Sequence, residues 1–280
     1  MNFKVSSTLE YTIQDLSTFI FNISVLKTLS QTVFEESLNI DPYLLAEELP
    51  SLEGITRGIR IEATSLPSLK VRYQARVHLQ YNIIPKNQLY QVPISKLPPE
   101  VIPYLFPSRY CQSDKLTRLA TDKFGHIKSA YDKMLAVCRW IYENVAYVIG
   151  STDSQTSAFD TVTQRIGVCR DFAHLGIALA RAMAIPARYL SCYAHQLNPQ
   201  DFHACFEAYL AGRWISFDPS RMAPINGLIR IGVGRDAADV SVATIYGKVG
   251  FKNLTVGSER EENTFNGIFM DGIEDIGISY

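Results

Sequence analysis

Residues 166–169 read Ile-Gly-Val-Cys169, and Phe172, Leu175, Leu179, Ala182 and Met183 then recur at helical spacing until Pro186 forbids continuation. A thiol is placed near a helix N-terminus, where unpaired N–H groups and the positive end of the dipole favour the thiolate, the reactive form. A nucleophile needs a base, and the base needs an orienter. Both stand downstream in one hairpin. His203-Ala-Cys-Phe-Glu-Ala-Tyr-Leu210 alternates, Ala211-Gly212 turns the chain, and Arg213-Trp-Ile-Ser-Phe-Asp218 returns. A two-residue turn pairs Leu210 with Arg213 and sets Asp218 opposite Cys205. His203 and Asp218 then share a face as diagonal neighbours, roughly 7–8 Å apart at Cα. A three-residue turn would flip Asp218 to the other face, so the constellation requires an even loop.

The blocks Gly-Val-Cys169-Arg-Asp-Phe-Ala-His174, Ile185-Pro-Ala-Arg188-Tyr, Asp201-Phe-His203-Ala and Trp214-Ile-Ser-Phe-Asp218-Pro219 follow one another in order. Together they resemble the bacterial transglutaminase-like family, whose core is a papain-like Cys/His/Asp fold. Tyr104-Leu-Phe-Pro-Ser-Arg109-Tyr and Val233-Gly-Arg-Asp236-Ala-Ala-Asp239-Val resemble segments that flank this core in members with an additional N-terminal β-rich region. The resemblance is strong over 131–240 and weak before 95. It implies Cys169 as nucleophile, His203 as base and Asp218 as orienter, with no metal or organic cofactor. Two positions depart from the family pattern: Cys205 stands where Trp is usual, and Cys192 where Gly is frequent. A small residue in place of an indole is expected to widen the wall beside the thioester and to admit water.

Other side chains compete for roles near the thiol. His174 is expected to pack within the helix, and Asp171 and Arg170 to form a cap or salt bridge in its first turn. Gln164, five residues before the thiol, is a candidate side-chain donor to an oxyanion, beside the backbone N–H of Cys169. No acidic loop supports calcium dependence. Cys192, His195, His203 and Cys205 form a candidate tetrahedral zinc set, at a spacing that matches no standard zinc pair.

The expected activity is cysteine-dependent acyl transfer on the amide bonds of a peptide or protein, with hydrolysis favoured over transamidation. The alternative is a catalytically inactive member of the same fold that binds a partner.

In 280 residues, 27 Lys and Arg balance 28 Asp and Glu, for a formal net charge of −1. That balance, without a basic run, gives no field to attract nucleic acid or an anionic membrane, so neither is an expected partner. The start, Met-Asn-Phe-Lys-Val-Ser-Ser, shows no basic segment followed by an apolar run, and a cytoplasmic location is expected. Five cysteines, at 111, 138, 169, 192 and 205, form an odd set that suits a reducing compartment.

The elements that must position the site fall into an α+β order. Residues 1–100 are expected to form an N-terminal antiparallel β-sandwich-like domain, from alternation at 3–6, 19–25, 59–63 and 71–81. Residues 39–50 fit either a short helix or a loop. The Pro-rich stretch 92–103 reads as a linker. Residues 101–240 are expected to hold the papain-like core, with the nucleophile's helix packed on an antiparallel sheet. Within it, Met134, Val137, Cys138, Ile141 and Val145 mark an amphipathic helix over 129–145, and 158–165 reads as a short helix leading to the thiol. Residues 241–280 are expected to be a tail, partly strand, with 259–263 solvated and 264–280 loosely ordered.

Overall fold

Alternating apolar and polar residues make most of the first 85 residues strands, because one face of each can be buried while the other stays wet. The computed structural model of the chain describes residues 1–50, 56–261 and 264–280. Its strands begin with β1 (Asn2–Ile13), β2 (Ser17–Phe21), β3 (Gln31–Asp41), β4 (Ala46–Pro50), β5 (Arg57–Ala63), β6 (Leu66–Leu79) and β7 (Asn82–Pro85). The segment 39–50 therefore closes one strand and supplies another, rather than a helix.

Four helices follow: α1 (Ser113–Phe124), α2 (Ala130–Asn144), α3 (Ala158–Gln164) and α4 (Cys169–Ala182). The short strands β8 (Ala146–Tyr147) and β9 (Ile166–Gly167) lie between them, and β10 (Ala187–Ala194), β11 (Phe202–Leu210), β12 (Arg213–Phe217) and β13 (Leu228–Gly234) come after. The chain ends with β14 (Ala243–Tyr246), β15 (Val249–Arg260) and β16 (Ile276–Ser279). Helix α1 is an element that the sequence pattern does not announce. Its buried residues are few, Leu116, Ala120 and Phe124 with Ser113, and leave a thin apolar stripe.

Two four-stranded antiparallel sheets, in the orders β15-β1-β6-β3 and β14-β2-β5-β4, share one core of Phe3, Val5, Phe19, Phe21, Ile61 and Val71. The later part of the chain supplies one strand to each: β15 pairs with β1 and β14 with β2. The third large sheet, β12-β11-β10-β13, carries α4. It abuts the sandwich directly. Tyr193 of β10 donates its hydroxyl to Ile23 O at 2.8 Å, and Gln31 brackets Arg230 of β13, donating to its O and accepting from its N–H, each at 2.8 Å.

The 92–103 stretch is not a free linker. Two 3₁₀ turns, Ile94–Lys96 and Pro99–Leu105, lay Val101 and Tyr104 against Tyr209 and Trp214 of the core hairpin. The C-terminal residues also depart from expectation. β16 pairs with β7, Ile273 and Ile278 are fully buried, and Tyr131 donates its hydroxyl to Ile273 O at 2.7 Å. The surface they cover is built by residues more than 130 positions earlier, which no local pattern displays. Of the 259–263 run, Glu259 and Arg260 finish β15 and Glu261 pairs with Arg76, while Glu262 and Asn263 lie outside the described residues.

Helix α4 approaches β11 through Gly176. A Cβ there would stand 2.6 Å from the Phe206 ring, which is itself buried and stacked on Phe217. Gly176→Ala gains about 1 kcal/mol of helix propensity. Against it stands an overpacking cost of about 1–3 kcal/mol in a ring that has no room to turn. A net loss of stability is expected, read as a lower urea midpoint; an unchanged or higher midpoint would show that the ring yields.

Candidate active site

Cys169 is the first residue of α4, so its N–H has no partner within the helix. The turn is shaped by Asp171, which is fully buried. Its Oδ2 accepts from Val168 N–H at 3.0 Å and from the Thr152 hydroxyl at 2.8 Å, and its Oδ1 accepts from Arg170 Nε and Nη2. Asp171 and Arg170 are thus cap and salt bridge, as the sequence predicts. The thiol itself is half-buried, whereas Cys111, Cys138, Cys192 and Cys205 are buried.

The hairpin turn is the two-residue one. Ala211 and Gly212 both have positive φ, 51° and 79°, as a type I′ turn requires, and Leu210 pairs with Arg213. From that register Glu207 meets Ser216 and Phe206 meets Phe217, so Asp218 comes just past the ladder on the face of His203 and Cys205. His203 Nε2 donates to Asp218 Oδ2 at 2.9 Å, with both side chains buried. The other carboxylate oxygen, Oδ1, accepts from Ser220 N–H at 2.9 Å and from its hydroxyl at 2.6 Å.

With Nε2 committed to Asp218, the ring presents Nδ1 to the Cys169 thiol, which lies within hydrogen-bonding reach of it. Burial pulls the imidazole toward its neutral form. Asp218 outweighs it and, helped by the thiol, raises the His203 pKa well above the ordinary range. Burial likewise opposes the Asp218 carboxylate, but His203 and Ser220 prevail and hold its pKa low.

Tyr147 completes the ring of groups around the sulfur, and sequence reasoning missed it. β8 pairs in parallel with β9, setting Tyr147 opposite Gly167, and its ring lies edge-on to Phe172 of α4 with centroids 5.7 Å apart. Its hydroxyl reaches both the thiol and the N–H of Cys169, and burial with the neighbouring thiol keeps it protonated as a donor. A two-residue parallel ladder leaves no periodic signature, so nothing in the sequence marks this tyrosine. Gln164, by contrast, is exposed at the end of α3 and lines a separate hollow with Thr152 and Asp160.

His174 packs, as expected. It is fully buried, stacked on Tyr110 at 5.0 Å and accepts from Ala237 N–H at 3.1 Å; burial drives its pKa well below the ordinary value. Cys205 does not form the wall expected of it. It is fully buried, and the neighbouring Ala204 faces the cavity beside the thiol instead.

The four candidate zinc ligands are not gathered either, because His195 sits between Phe3 and Phe265, at 5.3 and 4.9 Å. Among the described residues a different trio, His203, Cys205 and Asp218, has ligand atoms within 4.8 Å of one another. A metal there would have to break the His203–Asp218 hydrogen bond.

The helix-borne thiol, the histidine on the adjoining antiparallel sheet and the carboxylate after the next strand define a transglutaminase-like, papain-type fold of the kind used by cysteine-dependent enzymes. Residues 1–100 match the family model for the N-terminal domain of bacterial transglutaminase, and residues 117–219 match that of the transglutaminase-like superfamily. The chain belongs to the bacterial transglutaminase-like family. A crystal structure from Cytophaga hutchinsonii, described as a candidate cysteine protease, is 50% identical, covers 100% of this chain and 97% of that one, and superimposes with a TM-score of 0.97.

An uncharacterised protein of Mycobacterium leprae is 35% identical over 133 residues, 44% of this chain and 47% of its own length. One from Mycobacterium tuberculosis is 33% identical over 115 residues, 36% of this chain and 37% of its own. The matched segments therefore span about half or less of these curated relatives. Among the described residues no helix is long and apolar enough to cross a membrane.

Proposed function

We propose that this chain is a cysteine-dependent acyl-transfer enzyme that opens amide bonds of peptides or proteins through a thioester on Cys169, with water as the usual acceptor. The observation that carries this reading is the buried His203 ring, bonded to Asp218 through Nε2 and turned toward the Cys169 thiol with its other nitrogen.

His203 takes the thiol proton and the sulfur attacks the carbonyl carbon. The oxyanion finds the Cys169 N–H and the Tyr147 hydroxyl. As the C–N bond breaks, His203 returns its proton to the amine. Water, deprotonated by the same ring, then attacks the thioester, and the acid leaves as the C–S bond breaks. The resemblance to a candidate cysteine protease supports hydrolysis, and with it a peptide substrate.

Two measurements test this. At neutral pH a limiting dose of iodoacetamide is expected to modify Cys169 before the four buried cysteines; burial raises the thiols of Cys111, Cys138 and Cys205 and keeps them unreactive. A peptide library with and without cadaverine is then expected to yield mainly cleaved or deamidated products. Dominant amine incorporation would make the protein a transamidase, and an inert Cys169 would remove the mechanism.

A further inference from the structure

Beside the thiol lies a cavity of about 320 Å³ with Cys169 and His203 in its lining. Ligand clefts commonly span ~300–1,000 Å³, so this one suits a side chain rather than a long segment. Larger hollows elsewhere, of about 660, 800, 510 and 480 Å³, contain neither residue. One wall is the segment after β13, from which Ala237, Val240, Ser241, Val242 and Ala243 line the cavity.

That segment is a strap tied at both ends. At its start Ala237 N–H donates to His174 on α4, and Asp236 Oδ2 accepts from Tyr110 N–H at 2.8 Å. At its end the ties run to the N-terminal sandwich. Asn22 N–H donates to Val242 O at 3.0 Å, Asn22 Nδ2 donates to Ser241 O at 2.6 Å, and Ala243 pairs with Phe21 where β14 joins β2. The sandwich thereby sets the position of one wall of the cavity onto which the thiol opens.

We infer that the 237–243 strap is the acyl-side specificity wall of this site, and that the cavity takes one uncharged substrate side chain of small or medium size, alanine to leucine. The inference rests on the thioester chemistry proposed for Cys169. The acyl group is what stays bonded to sulfur when the amine leaves, and this cavity, lined by that sulfur, is assigned to the acyl side, the side on which the reagents below vary.

Alanine and valine methyls with the aromatic side chains of Tyr110, Tyr189 and Phe202 make up most of the lining, and it holds no carboxylate to receive a lysine or arginine. Its two cationic groups, Arg170 and His203, are already paired with the buried carboxylates of Asp171 and Asp218. A charged substrate side chain would lose its water there without gaining a full partner, and that cost exceeds the gain from apolar contact.

The test uses peptidyl chloromethyl ketones carrying Ala, Leu, Glu or Lys next to the reactive carbon. The Cys169 sulfur displaces chloride to form a thioether, the rate is read by intact mass, and iodoacetamide measures intrinsic thiol reactivity. Ala and Leu reagents are expected to label at least ~10-fold faster than Glu and Lys reagents, relative to iodoacetamide. Ala243→Phe, which fills the cavity, is expected to slow the Leu reagent by ~10-fold and the Ala reagent less, each relative to the iodoacetamide rate of the same variant.

Asn22→Ala, which releases one tie and keeps the backbone bond, should shrink the Leu-over-Glu preference several-fold and serves if the phenylalanine variant fails to fold. Equal labelling by all four reagents, or an unchanged preference in both variants while iodoacetamide still finds Cys169, overturns the assignment of the wall. If iodoacetamide does not find Cys169, the thioester chemistry itself falls and the wall with it.

Discussion

Asp218→Asn is expected to lower turnover by about 10⁴, the loss known for the equivalent change in a serine protease triad. The reason lies in which hydrogen each atom carries. Asp218 now accepts the Nε2 hydrogen through Oδ2, which leaves Nδ1 able to take the thiol proton. An asparagine would keep its oxygen on Ser220, whose N–H and hydroxyl already point there, and turn its NH₂ toward Nε2. The ring would then hold its hydrogen on Nδ1, facing the sulfur, in the tautomer that cannot act as base. Turnover of a peptide identified from the library, measured beside the circular dichroism of the folded variant, decides the matter; full activity would remove Asp218 from the mechanism.

The same substitution changes two pH dependences. Asp218 is the main stabiliser of the charged ring, so in the variant the alkaline limb of any residual activity should move to lower pH. For stability, the depressed Asp218 contributes above the ordinary carboxylate pKa of ~4, and this is lost as pH falls through its lowered value. The elevated His203 contributes below the ordinary imidazole pKa of ~6.5, and this is lost as pH rises through its raised value. Both contributions are present together between ~4 and ~6.5, where the variant should show its largest deficit in unfolding free energy.

Glu207→Ala is expected to cost about 3–5 kcal/mol of stability, because it strands two buried arginines. Glu207 is fully buried; its Oε2 accepts from Arg188 Nε at 2.6 Å and from Arg230 Nη2 at 3.3 Å. Burial opposes its charge, and the two guanidiniums outweigh burial and hold its pKa low. Without it Arg188 and Arg230 would repel each other across the β10–β11–β13 sheet with nothing to offset their desolvation. Removing Arg188 as well should restore part of the loss, less its stacking on Trp214 at 4.2 Å. Urea unfolding of the single and double variants measures both terms; a single-variant cost below about 1 kcal/mol would mean that water reaches the site.

Features of this protein that depend on short-range order are legible in the amino-acid sequence. The type I′ turn at Ala211-Gly212 fixes hairpin register over two residues, so the diagonal placement of His203 and Asp218 follows from the spacing alone. The helix start at Cys169 is legible for the same reason, since Gly167, Asp171 and Pro186 bound one continuous stripe.

What closes around those residues is settled by tertiary packing. Tyr147 reaches Cys169 through a two-residue ladder, and the family resemblance points to Cys205 as cavity wall whereas Cys205 is fully buried and Ala204 lines the cavity. The C-terminal residues carry no strong pattern of their own because their partners, β7 and Tyr131, are distant in sequence. The strap at 237–243 is likewise defined by its two anchors, His174 and Asn22, rather than by its own pattern. Local signals encode turns, caps and periodicity; which surfaces meet depends on closing loops of a hundred residues or more, and that information resides in the buried complementarity of the whole chain.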